Sequence, residues 1–434
     1  MNVLSVIEVT IARIGAQGDG IAAMPDGKPL YVPQAATGDR VRVAIEGAES
    51  DGVRGRLIDV IEAGSTRGTP PCRHFGVCGG CALQHLSPQV YRDWKRGLVV
   101  DALARNGVQA ETVADLAMVG INTRRRGTFF AEKTNGVVKA GFHERGSHRI
   151  AAVDGCVVLL PELIALVERL PPAMADILGE GERAEIVANR LESGIDVLVR
   201  LPRDADHATR ERLVRFANDA DLVRVSVVKS DGRNRAAKPE PVVARRTAFA
   251  SFGGVRVVVP PGAFLQASAD AEALLVAEAK AGIAGATNVA DLFAGAGTFA
   301  FAFAHASKTK QARVHAAEAD ADLIEALKLA AAKAGLGARI TAETRDLFRR
   351  PLWADELKRF DAVVFDPPRV GAKAQAEALA KSQVARVVAV SCNPQTFARD
   401  ARLLQDGGYR LTRVVPVDQF LWTHHLEVVG TFVR

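Results

Sequence analysis

Over residues 1 to about 62, apolar and polar positions alternate in short runs. "VIEVTIARI", "PLYVP", "RVRVAIE" and "GRLIDVI" are rich in β-branched residues and are broken by Gly and Asp turns. Side chains alternate across a strand, so the pattern predicts about five half-buried strands, enough for a small closed barrel of OB type. "EAGSTRGTPP" (62–71) then reads as a linker. "SPQVYRDWKRGLVVDALARNG" (87–107) has a polar start and an Asn-Gly end, which predicts a helix. From about 120 to 260 the signals are strand-like, with helices near 161–178 and 204–219. From about 285 the rhythm becomes strand, helix, strand, helix: "TNVADLF" before "TFAFAFAHA", "RVHAAEA" before "DADLIEALKLAAAKAGL", "RFDAVVFDPPR" before "KAQAEALAK", and "RVVAVSCNP" before "QTFARDARLLQDGG". Continuous apolar strands with intervening helices imply a parallel sheet covered on both faces. "YRLTRVVPVDQF" and "HHLEVVGTFVR" add two closing strands.

The chain has 434 residues, 48% of them hydrophobic, which supports about two to four domains. A charged fraction of 24% excludes a disordered polyelectrolyte. The net charge of +6 raises the odds of an acidic or nucleic-acid partner without selecting one. The segment 121–150 sharpens this, with seven Lys or Arg against two acids and Phe129, Phe130 and Phe142 interleaved. Basic residues with aromatics on strands fit a nucleic-acid surface; a solvated charged face is the other reading. The start of the chain lacks the pattern of a secretory leader, and no apolar run is long enough for a membrane span. A reducing cytoplasm is the expected compartment. Clustered cysteines there serve metals or catalysis more often than disulfides. Three of the five cysteines fall in "CRHFGVCGGC" (72–81).

Chemistry concentrates at the predicted strand ends. "DLFAGAGTFA" (291–300) places Gly295 and Gly297 after the first strand of the sheet, where a glycine turn lets a ligand approach the backbone. Glu318 ends the second strand, where an acid can hold ribose hydroxyls. Neither feature separates a nicotinamide dinucleotide from S-adenosylmethionine. "FDPPR" (365–369) sets Asp366 at the end of a central strand, and "VSCNP" (390–394) sets Cys392 at the end of the next. A cysteine above a cofactor crevice is a candidate nucleophile, with inert core thiol as the alternative.

Together these residues resemble the uracil-C5 RNA methyltransferases, specifically the branch with an N-terminal TRAM domain and an iron–sulfur cluster that acts on 23S ribosomal RNA. The resemblance covers nearly the whole chain. It rests on "GDGIA…YVP…TGDRVRV", C-x5-CGGC with a distant cysteine in "VDGC", "FLQAS", "DLFAGAGTF", "FDPPR", "SCNP" and "HHLE". It implies a TRAM barrel at 1–65 and a mostly β central iron–sulfur domain at 66–86 and 120–260. It also implies a Rossmann-like methyltransferase domain at 87–119 and 261–434. Cys72, Cys78, Cys81 and Cys156 would hold a [4Fe–4S] cluster; spacing alone leaves tetrahedral zinc equally open. Cys392 would be the nucleophile and Glu427 the general base. Gln266, Phe293, Gly295, Gly297, Thr298, Glu318, Asp346 and Asp366 would form the S-adenosylmethionine pocket. Arg124, Arg125, Arg126, Phe129 and Phe264 are candidate RNA contacts.

The implied reaction is methyl transfer from S-adenosylmethionine to C5 of a uridine. It would run through a Cys–C6 adduct on a base flipped out of the stack. The expected partner is 23S ribosomal RNA, with a transfer-RNA T-loop uridine as the alternative and a catalytically inactive RNA-binding or assembly factor as the second. A monomer with no membrane association is expected.

Overall fold

A computed structural model describes residues 5–230, 237–305 and 312–434. The first four residues and Ala306, the end of the helix expected after the glycine loop, lie outside them.

The N-terminal alternation forms six strands: β1 (Val6–Thr10), β2 (Arg13–Ile14), β3 (Gly20–Ala23), β4 (Pro29–Val32), β5 (Arg40–Glu49) and β6 (Gly52–Glu62). Their order is β1-β5-β6-β4-β3-β2, so β1 and β2 are opposite edges although only Ile11 and Ala12 separate them in sequence. The sheet must curl until its edges meet. Ile11 N–H donates to the Asp39 carbonyl at 2.9 Å, and Ala12 N–H to that of Ile21 at 2.8 Å. Ile11, Leu30, Val32, Val41 and Val43 fill the barrel. The expected linker at 62–71 is not free: Arg67 pairs with the fully buried Asp39 at 2.6 Å and donates to the Gln34 carbonyl at 2.7 Å. A buried carboxylate needs such a partner, and this one ties the segment to the barrel wall.

Helix α1 (Pro88–Arg105) follows, with Pro in its first turn and Gly107 at φ +64° behind its last. Its buried residues Val99, Ala102 and Leu103 share a core with Phe397, Leu404 and Tyr409, far along the chain. Strand β7 (Ala117–Met118) then joins the edge of the C-terminal sheet. The chain leaves to build a seven-stranded sheet. It comprises β8 (Arg126–Thr134), β9 (Val137–His143), β10 (Ile150–Ala152), β11 (Arg183–Leu191), β12 (Gly194–Leu201), β13 (Arg224–Lys229) and β14 (Glu240–Ala244), in the order β10-β9-β8-β11-β12-β13-β14. Helices α2 (Pro161–Ala175) and α3 (His207–Asp219) bury Leu163, Leu170 and Leu213 against Phe129, Ile186 and Val199. β12 and β13 are parallel and joined through α3, so this mostly β region is a mixed sheet with two helices packed on it.

The hairpin β15 (Phe249–Phe252) and β16 (Val255–Val258) belongs to the C-terminal core, where Phe252 and Val257 pack with Phe299 and Phe301. That core therefore begins before the boundary expected at 260. Gly253 turns the hairpin at φ +55°, and a Cβ there would meet the Ala302 backbone nitrogen at 2.6 Å, so only glycine fits. The remaining elements are α4 (Ala269–Gly282), β17 (Asn288–Leu292), α5 (Thr298–Ala304), β18 (Arg313–Glu318), α6 (Ala321–Lys333), β19 (Ile340–Thr344), α7 (Ala354–Leu357), β20 (Ala362–Phe365), α8 (Lys373–Ala380), β21 (Arg386–Ser391), α9 (Pro394–Asp406), β22 (Arg410–Asp418) and β23 (Glu427–Val433). The sheet order is β19-β18-β17-β20-β21-β23-β22-β7. β19 to β21 are parallel, and β23 is antiparallel to both neighbours. From β17 the chain runs outward to β18 and β19 on one side, while β20 and β21 lie on the other. Where the order reverses, a crevice opens above the carboxyl ends of β17 and β20.

Candidate active site

The glycine loop leaves β17 at that reversal. Phe293 takes φ +60°, Gly295 +55° and Gly297 +99°. A Cβ at Gly297 would strike the Phe301 ring at 2.7 Å, whereas one at Gly295 would meet nothing within 4 Å. The turn is therefore packed beneath and open above, a cradle for a ligand. Glu318, at the end of β18, accepts from Gly295 N–H at 3.0 Å and from Ala319 N–H at 2.7 Å, so its carboxylate is tethered to the loop. Asp346, just past β19, accepts from Phe348 N–H at 3.0 Å; that turn sets the Phe348 ring 5.3 Å from Phe293. Thr298 opens α5, half-buried. The expected cofactor positions on the loop and on β18 and β19 thus gather around one turn.

Asp291, inside β17, was not singled out by its sequence. It is fully buried, no side chain pairs with it, and burial pushes its pKa up to about 8 against the Ala300 backbone N–H.

On the other side of the reversal, Asp366 follows β20, Cys392 follows β21 and Glu427 opens β23. Gln266 approaches from the loop before α4 and donates to Asp366 Oδ2 at 3.0 Å. Gln419, just after β22, donates to Gln266 Oε1 at 2.7 Å and to Glu427 Oε1 at 3.0 Å. Glu427 Oε2 is buried with no partner. Burial raises the Asp366 carboxyl well above its ordinary range, against the Gln266 hydrogen bond. Burial and then the charge of Asp366 raise Glu427, against the Gln419 hydrogen bond. Burial, Glu427 and Asp366 push the Cys392 thiol up to about 11, with Arg369 opposing. Two buried carboxyls with raised pKa values beside a thiol form a site in which a carboxyl can take up and release a proton.

The loop between β22 and β23 is anchored from below. Asp418 and Lys95 are both fully buried and pair at 2.9 Å; Tyr91 donates to the other Asp418 oxygen at 2.6 Å and accepts from Trp422 N–H at 2.7 Å. Lys95 also donates to the carbonyls of Phe420 and His425. Residues 418–427 are thus fixed by α1, some 330 positions earlier in the chain. The sequence offered no signal for this except a lysine and a tyrosine on the apolar stripe of a helix.

The five candidate RNA residues separate. Phe264 is 60% exposed, and the Arg126 guanidinium lies 4.9 Å from its ring centroid. Phe129 is wholly buried in the central core and cannot meet RNA; its alternating strand position faces inward. Arg125 is committed to Glu272 at 2.6 Å and to the Gln266 carbonyl at 3.1 Å, holding the Gln266 loop rather than a phosphate. Arg124 faces the cysteines.

Cys72, Cys78, Cys81 and Cys156 line one cavity of about 590 Å³ with Arg124, Phe420 and His424. This is a different cavity from the crevice. Its loop is held by Gly79 N–H to the His143 carbonyl at 2.9 Å and Ala82 N–H to the Trp422 carbonyl at 2.7 Å. Burial pushes the Cys81 thiol up to about 12, with its three cysteine neighbours adding to the push. Among the described residues, no group of three or more His, Cys, Asp or Glu side chains is placed to hold a metal ion.

Comparison with known proteins agrees with this geometry. Residues 260–434 match the family "tRNA (Uracil-5-)-methyltransferase", and residues 2–58 match the TRAM domain. An uncharacterized RNA methyltransferase of Brucella suis biovar 1 is 42% identical, covering 98% of each chain. The 23S rRNA (uracil(1939)-C(5))-methyltransferase RlmD of Chromohalobacter salexigens is 34% identical, over 98% of this chain and 89% of its own. The crystal structure of Pyrococcus abyssi tRNA (uracil-54, C5)-methyltransferase, solved with S-adenosyl-L-homocysteine, superposes with a TM-score of 0.74. It covers 98% of this chain and all of its own at 20% identity, a likeness of fold. Among the described residues no helix is long and apolar enough to cross a membrane. A Rossmann-like crevice, a TRAM barrel and relatives matching end to end place this chain in the family of S-adenosylmethionine-dependent RNA (uracil-C5-)methyltransferases.

Proposed function

We propose that this enzyme methylates C5 of one uridine in 23S ribosomal RNA, with Cys392 as nucleophile and Glu427 as base. The observation that carries the chemistry is the convergence of Cys392, Asp366, Glu427 and Gln266 at adjoining strand ends. C5 of uracil is a poor nucleophile. Addition of the Cys392 thiolate to C6 makes C5 an enolate carbon able to accept the methyl group, which S-adenosylmethionine supplies when bound. Glu427 Oε2 then takes the C5 proton, and the Cys392 thiolate leaves. The loop residues Phe293, Gly295, Gly297 and Thr298, with Glu318 and Asp346, hold the donor; the base is flipped out to reach the thiol, beside exposed Phe264 and Arg126.

The ribosomal substrate is favoured by the end-to-end likeness to the 23S enzyme. The archaeal transfer-RNA enzyme shares the fold at lower identity and keeps a T-loop uridine as the second reading. The reading is of a cytoplasmic monomer. The four cysteines are read as ligands of a [4Fe–4S] cluster from their donor chemistry, since four thiols line one cavity. A cluster takes one thiolate per iron, whereas zinc draws all four to a single point. The domain division proposed is a barrel, an inserted central domain, and a catalytic domain that includes α1. Mass spectrometry of ribosomal and transfer RNA from a strain lacking the protein tests the substrate. Loss of one 5-methyluridine from 23S RNA is expected, and loss from transfer RNA instead would transfer the assignment.

A further inference from the structure

Gln419 lies at the exit of β22 and is 2% exposed. Its amide makes three hydrogen bonds: Oε1 accepts from the Ala267 backbone N–H at 2.8 Å, and Nε2 donates to Gln266 Oε1 at 2.7 Å and to Glu427 Oε1 at 3.0 Å. The first bond dictates the rest. A backbone N–H can only donate, so the atom facing it must be the amide oxygen. The Gln419 NH2 then faces Gln266 and Glu427. Gln266 must turn its own oxygen toward Gln419, which puts its NH2 on Asp366 Oδ2 at 3.0 Å. One backbone donor thereby orients an unbroken chain from Glu427 through Gln419 and Gln266 to Asp366. It leaves Glu427 Oε2 as the carboxylate oxygen with no partner.

We propose that Gln419 is a positioning residue for the proton abstraction that releases the methylated RNA. It holds the Glu427 carboxylate with Oε1 bound and Oε2 free to take the C5 proton, and it locks the Gln266 amide as a donor toward Asp366. This rests on the assignment of Glu427 as base and Cys392 as nucleophile. In the step it serves, the C5–H bond breaks and the proton passes to Glu427 Oε2. The electron pair becomes the C5–C6 double bond, and the C6–S bond breaks to return the Cys392 thiolate. No further reactant is needed. The Gln419 donor favours ionised Glu427 against burial and the charge of Asp366. Cys392 also faces this carboxyl, with Arg369 acting on the thiol. Without the donor, Glu427 holds its proton to higher pH, and less free base is present at any given pH.

The test uses the full chain with Gln419→Met, which keeps length and apolar volume but removes all three hydrogen bonds. The RNA is total RNA from a strain lacking the protein, with methyl-labelled S-adenosylmethionine. Formation of the labelled covalent adduct should stay within about twofold of wild type. Its release should slow by about tenfold, the typical worth of a hydrogen bond to a charged group, and the pH midpoint of release should rise. Release at the wild-type rate with an unmoved midpoint overturns the proposal. So does an equal fall in formation and release, which marks a merely structural residue. If Gln419→Met does not fold, Gln419→Glu, which lacks the donor pair, should give the same split. Glu427→Gln is run in parallel. If it releases product normally, the base assignment itself fails. If it traps the adduct while Gln419→Met does not, only the role of Gln419 fails.

Discussion

Asp418 and Glu427 stand at the two ends of one loop, both buried, in opposite surroundings. Asp418 has a lysine on one oxygen and a tyrosine hydroxyl on the other. Glu427 has an amide on one oxygen, nothing on the other, and a second carboxyl close enough to raise its pKa. The first arrangement compensates a buried charge completely and makes a fixed joint between α1 and the C-terminal strands. The second leaves the charge uncompensated, so the group waits for a proton. The contrast extends outward. Arg67 with Asp39 and Arg125 with Glu272 are joints. Glu427 Oε2 has no such partner, and burial raises the Asp291 carboxyl and the Cys392 thiol. Buried polar groups satisfied within the chain build the scaffold, and those left wanting mark where ligands act.

The comparison breaks most sharply at the crevice. Cys392→Ala should reduce both covalent RNA capture and methylation to background. Glu427→Gln should instead accumulate an adduct carrying the labelled methyl group, seen as a slow band on a denaturing gel. A labelled adduct in Cys392→Ala would falsify the nucleophile. At the cysteine cavity, anaerobically purified protein should be brown with about four irons per chain, and Cys156→Ser should lose the colour and the iron. Stoichiometric zinc without iron would assign the cavity to zinc instead.

The joint should respond in stability rather than chemistry. Lys95→Met leaves Asp418 buried without its cation and should cost about 3–5 kcal/mol in denaturant unfolding. A change below about 1 kcal/mol would mean that the pair is not the anchor described. On the RNA side, Phe264→Ala should weaken RNA binding by about 1–3 kcal/mol with unfolding unchanged, whereas Arg125→Ala should lower stability. Equal loss of RNA affinity in both would return Arg125 to the RNA surface.

The smallest effect is a matter of sign. The Glu427 carboxyl is raised in the fold, so the native state binds more protons than the unfolded chain between the ordinary glutamate pKa and the raised one. Its contribution is fully present below the ordinary value and is lost as pH rises through the folded one. Glu427→Gln should therefore match wild type near pH 4 to 5 and melt about 2 °C or more above it by pH 9. A gap that narrows with rising pH would show that Glu427 is compensated after all.

The alternating runs and the α/β rhythm carried the fold, because strand and helix periodicity follow from which faces are buried. The barrel, α1, α2, α3 and the parallel strands appear where the pattern put them. The central region is mostly β with two helices, as read, but the parallel β12–β13 crossover that α3 creates was not legible. The tie of the linker to the barrel was not legible because Arg67 and Asp39, 28 residues apart, become partners only once the barrel closes. At the site, motifs at strand ends located Cys392, Asp366 and the glycine loop, since ligands in open sheets bind where strands terminate. Phe129 was misread because a strand's inward and outward faces carry the same residue types in an aromatic, basic segment.

The sequence by itself determined most of the elements and the family, both of which are written in local spacing and short motifs. Only the tertiary structure decided which polar groups are satisfied. It put Lys95 under Asp418, Gln419 between Gln266 and Glu427, and nothing on Glu427 Oε2. These partners lie 8 to 323 residues apart, and a hydrogen bond exists only when folding brings donor and acceptor within about 3 Å. Compensation is a property of distance in space, and the order of residues along the chain does not encode it locally.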